Sequence, residues 1–294
     1  MGQREACKTT RKIATDSLVI SLKELVNTDK PISEVVLRDR WLLEMRKHDS
    51  IFPDGWYTPP PHGIGVLFST ENDPTRTNYT TLRKVGYWPR DDVFLDRQKG
   101  IIMVYASPVD KATGTIGDFG LDLYLGKNEK LIEHFQNVYK TVHSIFAQIS
   151  TGMTFAMLFE LAYAVFAQHG LTNEGWISTT DPTGINVGHS IPFLDSAEVS
   201  KITNEKNWEK AATMISKKRK FINSVEQTRI APGMVFTIEP RVKSTTDPSL
   251  PTIYFHTIAL IHENGGKELL TNFDKIFKLS GMDYLIDNRV LALL

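Results

Sequence analysis

Leu131, Phe135, Val138, Val142, Ile145 and Ile149 recur at steps of three and four residues, the spacing of one apolar stripe on an α-helix. That spacing predicts a helix over 128–149. Ser150-Thr151-Gly152 breaks the period, and a second apolar helix is expected over 154–169, stopped by Gly170. The last third of the chain has a different rhythm. Pro232-Gly233 signals a turn, 234–239 and 254–262 read as strands, and Asn264-Gly265-Gly266 leads into Leu269-Leu270 as a hairpin. Helices followed by antiparallel strands place the chain in the α+β class.

The remaining segments fill in around this block. Residues 3–27 read as an amphipathic helix, with Ala6, Ile13, Ser17, Ile20 and Val26 along one side and Leu18, Leu22 and Leu25 widening the stripe. A second helix is expected over 33–48, with Ser33 as N-cap. Residues 51–99 are rich in Pro, Gly, Asn and Asp and read as loops and short strands. Residues 101–106 form a short apolar run between Gly100 and Pro108, a buried strand. Residues 204–227 read as a charged helix burying Trp208, Ala211, Ile215 and Ile222.

Composition narrows the function classes. Lys+Arg and Asp+Glu both number 34 in 294 residues, so net charge makes no case for nucleic acid or an anionic membrane. Lys217-Lys218-Arg219-Lys220 accordingly reads as a solvated helix face. Cys7 is the single cysteine, which leaves no internal disulfide or thiolate zinc cage and fits a reducing, cytoplasmic compartment. The longest apolar stretch, 153–167, is interrupted by Glu160 and is shorter than the roughly 18 residues a spanning helix needs. The opening MGQREACKTTRK has no apolar signal-peptide core, and Ala6 stands where a myristoylation motif has Ser or Thr.

Three local patterns carry candidate chemistry. They are Gly114-Thr115-Ile116-Gly117-Asp118 with Gly126 further on, Gly188-His189-Ser190-Ile191-Pro192, and the string APGMVFTIEP ending in Glu239-Pro240. Period-two alternation puts Val235, Thr237 and Glu239 on one strand face. Singly, these are a turn aspartate, a loop histidine and a strand-end glutamate. His48, His134, His143 and His169 have no ligand partners at fixed spacing and read as structural. Trp56 and Trp88 are candidate pocket walls.

In this order the patterns resemble the pita-bread family of methionine aminopeptidases, Xaa-Pro aminopeptidases, prolidases and creatinase. The resemblance covers about residues 4–272. REACKTTRKIATDSL resembles the family's opening helix, KNEKLIEHFQNVYKTVHSIFAQISTGMTFAMLFELA its helix–turn–helix segment, and HTIALIHENGGKELLT its closing hairpin. The resemblance implies one pita-bread domain over 1–294, a curved antiparallel sheet covered by helices. Insertions fall near 73–97 and 196–226, with a C-terminal extension over 273–294.

The family's metallopeptidases hold two metals with Asp, Asp, His, Glu and Glu. Asp118, His189 and Glu239 match three of these positions. The first Asp position falls on Ser107, with Asp110 nearby, and the last Glu position on Phe255. Phe68 stands where the family has a substrate-facing histidine, with His62 close in sequence. The resemblance therefore implies a divergent member with an incomplete dinuclear site. One divalent metal (Fe, Mn, Co or Zn) is expected on Asp118, His189 and Glu239, with Glu239 and His189 in the chemistry. Ser107, Phe68, Phe255, His62 and His256 are expected around a small-molecule or peptide substrate. The leading expectation is a metal-dependent hydrolase of a small peptide, amide or amino-acid derivative. The alternatives are a mononuclear, iron-dependent oxidative enzyme and a non-catalytic scaffold. Neither nucleic acid nor membrane is expected as a partner, and a homodimer is compatible with the apolar C-terminus.

Overall fold

The chain runs α1 (Gln3–Val26), α2 (Glu34–Met45), β1 (Ile64–Thr70), β2 (Gly100–Ala106), β3 (Phe119–Tyr124), α3 (Glu129–Gln148), α4 (Phe155–Gln168), β4 (Leu171–Asn173), α5 (Ser196–Asn204), α6 (Trp208–Lys217), β5 (Val235–Ile238), β6 (Arg241–Ser244), β7 (Ile253–Ile261), β8 (Lys267–Leu270) and α7 (Asp274–Leu279). These elements come from a computed structural model that describes residues 2–26, 28–174, 181, 183–204 and 208–286.

Among the described residues every strand pairing is antiparallel. The order is β1-β2-β3-β7-β6-β4, with β5 and β8 also paired to β7. The first half of β7 lies between β3 (Leu121↔Phe255) and β6 (Arg241↔Tyr254), and its second half between β5 (Ile238↔Thr257) and β8 (Ile258↔Leu270). A strand that exchanges partners along its length, in a sheet that already twists, curls the sheet. The result is the expected α+β fold, a curled antiparallel half-barrel with helices.

Period-two alternation divides the sheet into two faces. Ile64, Val66 and Phe68 of β1, Ile102 and Val104 of β2, Leu121 of β3 and Ile253, Phe255 and Ala259 of β7 share one apolar core with α1–α4 and α7. Alternate residues build the opposite face. Leu67, Met103 and Tyr105 form one patch there, and Ile258 and Leu260 pack with Ile202 of α5 and Ala211 and Ile215 of α6 in another. Buried Asp118, Asp122 and His256 lie among these patches.

The helical hairpin follows its sequence pattern closely. Asn128 caps α3 by accepting from Lys130 N at 3.1 Å, and Thr154 caps α4 by accepting from Met157 N at 3.1 Å. Leu131, Phe135, Val138, Val142 and Ile145 are all buried, each contributing about 1.5–3 kcal/mol of transfer free energy. Ser33 caps α2 through Val36 N. In α1, Leu18 and Leu22 are buried as expected but Ile20 is 43% exposed.

The helix expected over 204–227 is shorter than its apolar pattern. α6 ends at Lys217, and residues 205–207 lie outside the described residues. Beyond α6 the chain is extended, because Ser190 N donates to Lys220 O and Ile222 N to Gly188 O, both at 2.8 Å. Ile222 is buried by that pairing rather than by a helix face.

Within 73–97, Arg76 makes a bidentate contact to Glu34 at 2.6 Å on both oxygens, and Glu34 also accepts from Phe68 N and Arg90 N. In the C-terminal segment, Phe273, Ile276, Phe277, Met282 and Leu285 are buried in the main core. Residues 287–294 lie outside the described residues. Among the described residues no helix is long and apolar enough to cross a membrane.

Candidate functional site

Asp118 stands at the entrance to β3, His189 on a short extended segment, Glu239 just after β5 and His256 within β7. Backbone pairing fixes their approach. His189 N donates to Thr237 Oγ1, Thr237 N donates to His189 O, and Glu239 N donates to Val187 O, at 2.8, 2.8 and 2.9 Å. Gly188 makes this lamination possible. Its φ is +154°, and a Cβ there would sit 2.2 Å from Thr237 O.

The structure brings Asp118, His189 and Glu239 together. His189 Nε2 lies 3.3 Å from Glu239 Oε1 and 3.7 Å from Asp118 Oδ2. The opposite oxygen of Glu239 lies 3.3 Å from His256 Nε2. Glu239 thus sits between two imidazoles. Thr237 Oγ1 donates to Glu239 Oε1 at 3.0 Å, and the Tyr254 hydroxyl also bonds this carboxyl. Trp56 Nε1 donates to Asp118 Oδ1 at 2.7 Å.

Burial governs the electrostatics. It pushes the Glu239 carboxyl up to about 8, helped by the Asp118 charge and opposed by Thr237 and Arg219. It pushes Asp118 up to about 7, against the Trp56 hydrogen bond and the Arg219 and Arg11 charges. Burial holds His189 and His256 well below their ordinary value, with Arg219 acting in the same direction on His189 and Arg11 on His256. Near neutral pH the imidazoles are uncharged and Glu239 is largely a carboxylic acid. His189 Nδ1 lies 3.0 Å from Ser190 O. A carbonyl only accepts, so Nδ1 carries the proton and Nε2 presents its lone pair to the site.

The other expected site residues stand elsewhere. Phe255 is fully buried on the helix side of the sheet among Phe135, Tyr139, Phe273 and Phe277, so it lines no substrate space. Alternation turns His256 inward in its place. Phe68 also faces the helix-side core. Ser107 Oγ donates to Gly63 O at 3.1 Å and accepts from Tyr57 N, which ties it into a turn. Asp110 caps its own turn through Thr113 N and Oγ1. His62 is paired with Asp54 at 2.9 Å in a separate groove of about 1130 Å³ that Trp56, Trp88 and Trp208 also line.

Among the described residues no group of three or more His, Cys, Asp or Glu is placed to hold a metal ion. Asp118 spends one oxygen on Trp56, while its Oδ2 and His256 Nε2 have no hydrogen bond. The Ser107 and Phe255 positions add no ligand. The arrangement leaves the expected mononuclear centre on Asp118, His189 and Glu239 without support of its own.

Two structural residues escaped the sequence reading. Arg11 of α1 is buried, stacks on Phe119 and Phe273, and donates to the backbone carbonyls of Asp118, His256 and Thr271. It fixes the start of β3 against the middle of β7. Arg219 does not lie on a solvated face. Its guanidinium sits 4.4 Å over the Trp56 ring and 4.9 Å over the Phe221 ring.

A protein-family model described as "Metallopeptidase family M24" matches residues 77–266. The chain belongs to metallopeptidase family M24. Comparison with curated protein sequences gives no match. Among solved structures, an X-Pro aminopeptidase from Thermotoga maritima is 13% identical at a TM-score of 0.59, covering 92% of this chain and 61% of that one. A prolidase from Pyrococcus furiosus is 15% identical at 0.54, covering 92% and 63%. A methionine aminopeptidase from Thermotoga maritima is 13% identical at 0.55, covering 91% and 96%. At these identities the likeness to M24 structures is one of fold. This chain spans about three fifths of the first two relatives.

Proposed function

We propose that this M24 chain is a peptidase-like hydrolase of a small peptide, amide or amino-acid derivative. Membership of a metallopeptidase family and the pita-bread fold support the reaction class. The observation that carries the site is the Glu239 carboxyl held between His189 Nε2 and His256 Nε2, 3.3 Å from each.

These groups suffice for acid–base hydrolysis. His189 Nε2, its lone pair exposed by the Ser190 contact, takes a proton from water as the water oxygen attacks the carbonyl carbon. The C–N bond breaks, and the departing amine takes a proton from Glu239. The proton on His189 then returns to Glu239 across the 3.3 Å gap, restoring both groups. A carboxylic acid that keeps its proton near neutrality is suited to the donor role.

The test is amine release from dipeptides and aminoacyl amides by the full chain and by Glu239→Gln. General acid–base catalysis contributes about 10²–10⁴-fold, so the variant should lose at least about 10²-fold in kcat while its Tm holds or rises. Undiminished turnover in Glu239→Gln would remove Glu239 from the chemistry. No turnover by the natural chain on any reporter would favour the scaffold.

A further inference from the structure

Trp56 belongs to two places at once. Its Nε1 donates to Asp118 Oδ1 at 2.7 Å, and it also lines the groove of about 1130 Å³ that holds His62. Small-ligand pockets are of this scale, about 300–1,000 Å³. We propose that the groove receives the leaving-amine end of the substrate, an aromatic amino acid with a free α-carboxylate. This inference rests on the hydrolase reading above and names the substrate class of that site.

The lining sets the size and shape of the ligand. Arg83 and Trp88 reach the groove from the segment near 73–97, and one face of α6, from Trp208 to Lys217, reaches it from the segment near 196–226. Both segments were expected as insertions, so the groove is this chain's own. Along the α6 face Ala212 and Ser216 follow Trp208 at steps of four, so the side chains one and two turns on are short. They leave space beside the Trp208 indole, which Phe52 backs at 4.5 Å and Gly55 O holds through Nε1 at 3.0 Å. From Trp208 to Lys217 the face is about 14 Å long at the helical rise. An extended residue spans about 3.5 Å, so a dipeptide fits along it. The indoles of Trp56, Trp88 and Trp208 supply flat apolar surface, which suits an aromatic side chain.

The charges on the lining do not cancel. Asp54 is answered by Arg46 at 2.7 Å and His62 at 2.9 Å, and Glu209 has a partner of its own. Arg83 and Lys217 line the same groove, and among the described residues neither is paired with a carboxylate. Arg83 is nevertheless held in place, its guanidinium 4.3 Å over the Tyr57 ring and its Nη1 donating to Thr58 O at 2.8 Å. A planar guanidinium so held keeps further N–H donors for a carboxylate. Trp88 Nε1 is buried and has no acceptor among the described residues. An indole N–H can only donate, and leaving it unanswered is costly. A carboxylate on a flat, apolar group answers both cations with charge; an amide in its place does not.

The experiment uses the full chain. Tryptophan fluorescence and calorimetry follow the binding of N-acetylphenylalanine, its amide and N-acetylalanine, none of which requires turnover to be read. The aromatic acid should bind about tenfold or more tighter than either of the others. Arg83→Met should lose most of the difference between acid and amide, and Arg83→Lys should restore part of it. Lys217→Met, at an exposed position, should weaken the acid alone without moving Tm. In parallel, amine release is measured from alanyl-phenylalanine and its amide. Arg83→Met should raise KM for the free dipeptide about tenfold with kcat held, and leave the amide unchanged. Equal binding of acid and amide by the natural chain overturns the proposal, as does equal binding of N-acetylalanine. Should Arg83→Met not fold, Lys217→Met and the ligand series on the natural chain still decide. Selective binding of the aromatic acid with no turnover of any reporter would defeat the hydrolase reading while upholding the ligand class of the groove. Turnover indifferent to the carboxylate would uphold the hydrolase reading and overturn the groove.

Discussion

Phe255→Glu asks directly which way β7 faces. By sequence resemblance the change restores a metal ligand; by the structure it drives a carboxyl into the core. The Phe255 ring is fully buried, with Tyr139 centred 5.0 Å away, Phe273 at 6.0 Å, and Phe135 and Phe277 at 6.2 Å. Removing a buried phenyl costs about 3–5 kcal/mol in lost transfer free energy and cavity formation. Placing a carboxyl against these rings costs about 2 kcal/mol or more, whether it ionises or stays protonated. The sum of roughly 5–7 kcal/mol approaches or exceeds the stability of many domains, about 5–15 kcal/mol in all. Urea unfolding followed by far-ultraviolet circular dichroism should show Phe255→Glu largely unfolded or with a sharply lowered midpoint. Phe255→Leu, smaller but apolar, should lose much less. A Phe255→Glu protein with the natural midpoint and a newly bound metal equivalent would refute the facing of the strand, and with it the role given to His256.

Two further outcomes follow from the same geometry. Gly188→Ala would put a methyl 2.2 Å from Thr237 O; the His189 segment should be pushed from β5, with amine release falling more steeply than Tm. Stability should also bend with pH. Asp118 and Glu239 bind protons more tightly folded than unfolded, while His189 and His256 bind them less tightly. Between about pH 4.5 and 6.5 these contributions oppose one another; above about 6.5 the carboxyl contribution alone is lost as pH rises to about 8. Tm should therefore fall from about pH 6.5 to 8, and Glu239→Gln should fall less steeply. An unchanged slope in that variant would contradict the shift assigned to Glu239.

The helical hairpin was legible because its signals are local. Asn128 and Thr154 cap, the three-and-four spacing names the buried face, and the boundaries of α3 and α4 lie within one residue of those expected. The convergence of Asp118, His189 and Glu239 was legible through resemblance and order. The facing of Phe255 was not legible from alternation, because β7 is apolar on both faces: Ile253, Phe255, Ala259 and Ile261 alternate with Tyr254, Ile258 and Leu260, and the polar His256 and Thr257 are adjacent. The inward turn of Arg219 was not legible from spacing. It depends on Lys220 and Ile222 pairing with residues some thirty positions earlier, a contact that no helical period records. Arg11 escaped for the same reason, since its partners lie far away in the chain.

Arg11 has a consequence for the order in which the molecule is built. It belongs to the first turns of the chain, yet the carbonyls it grips belong to residues 118, 256 and 271. Synthesis delivers the guanidinium 260 residues before its last acceptor, so the clasp cannot close on a nascent polypeptide until residue 271 has emerged. Contacts of such sequence separation are slow to form. A chain released early would carry Asp118 and His189 without the β7 strand that aligns them, leaving a protein with most of its helices and its candidate site unassembled.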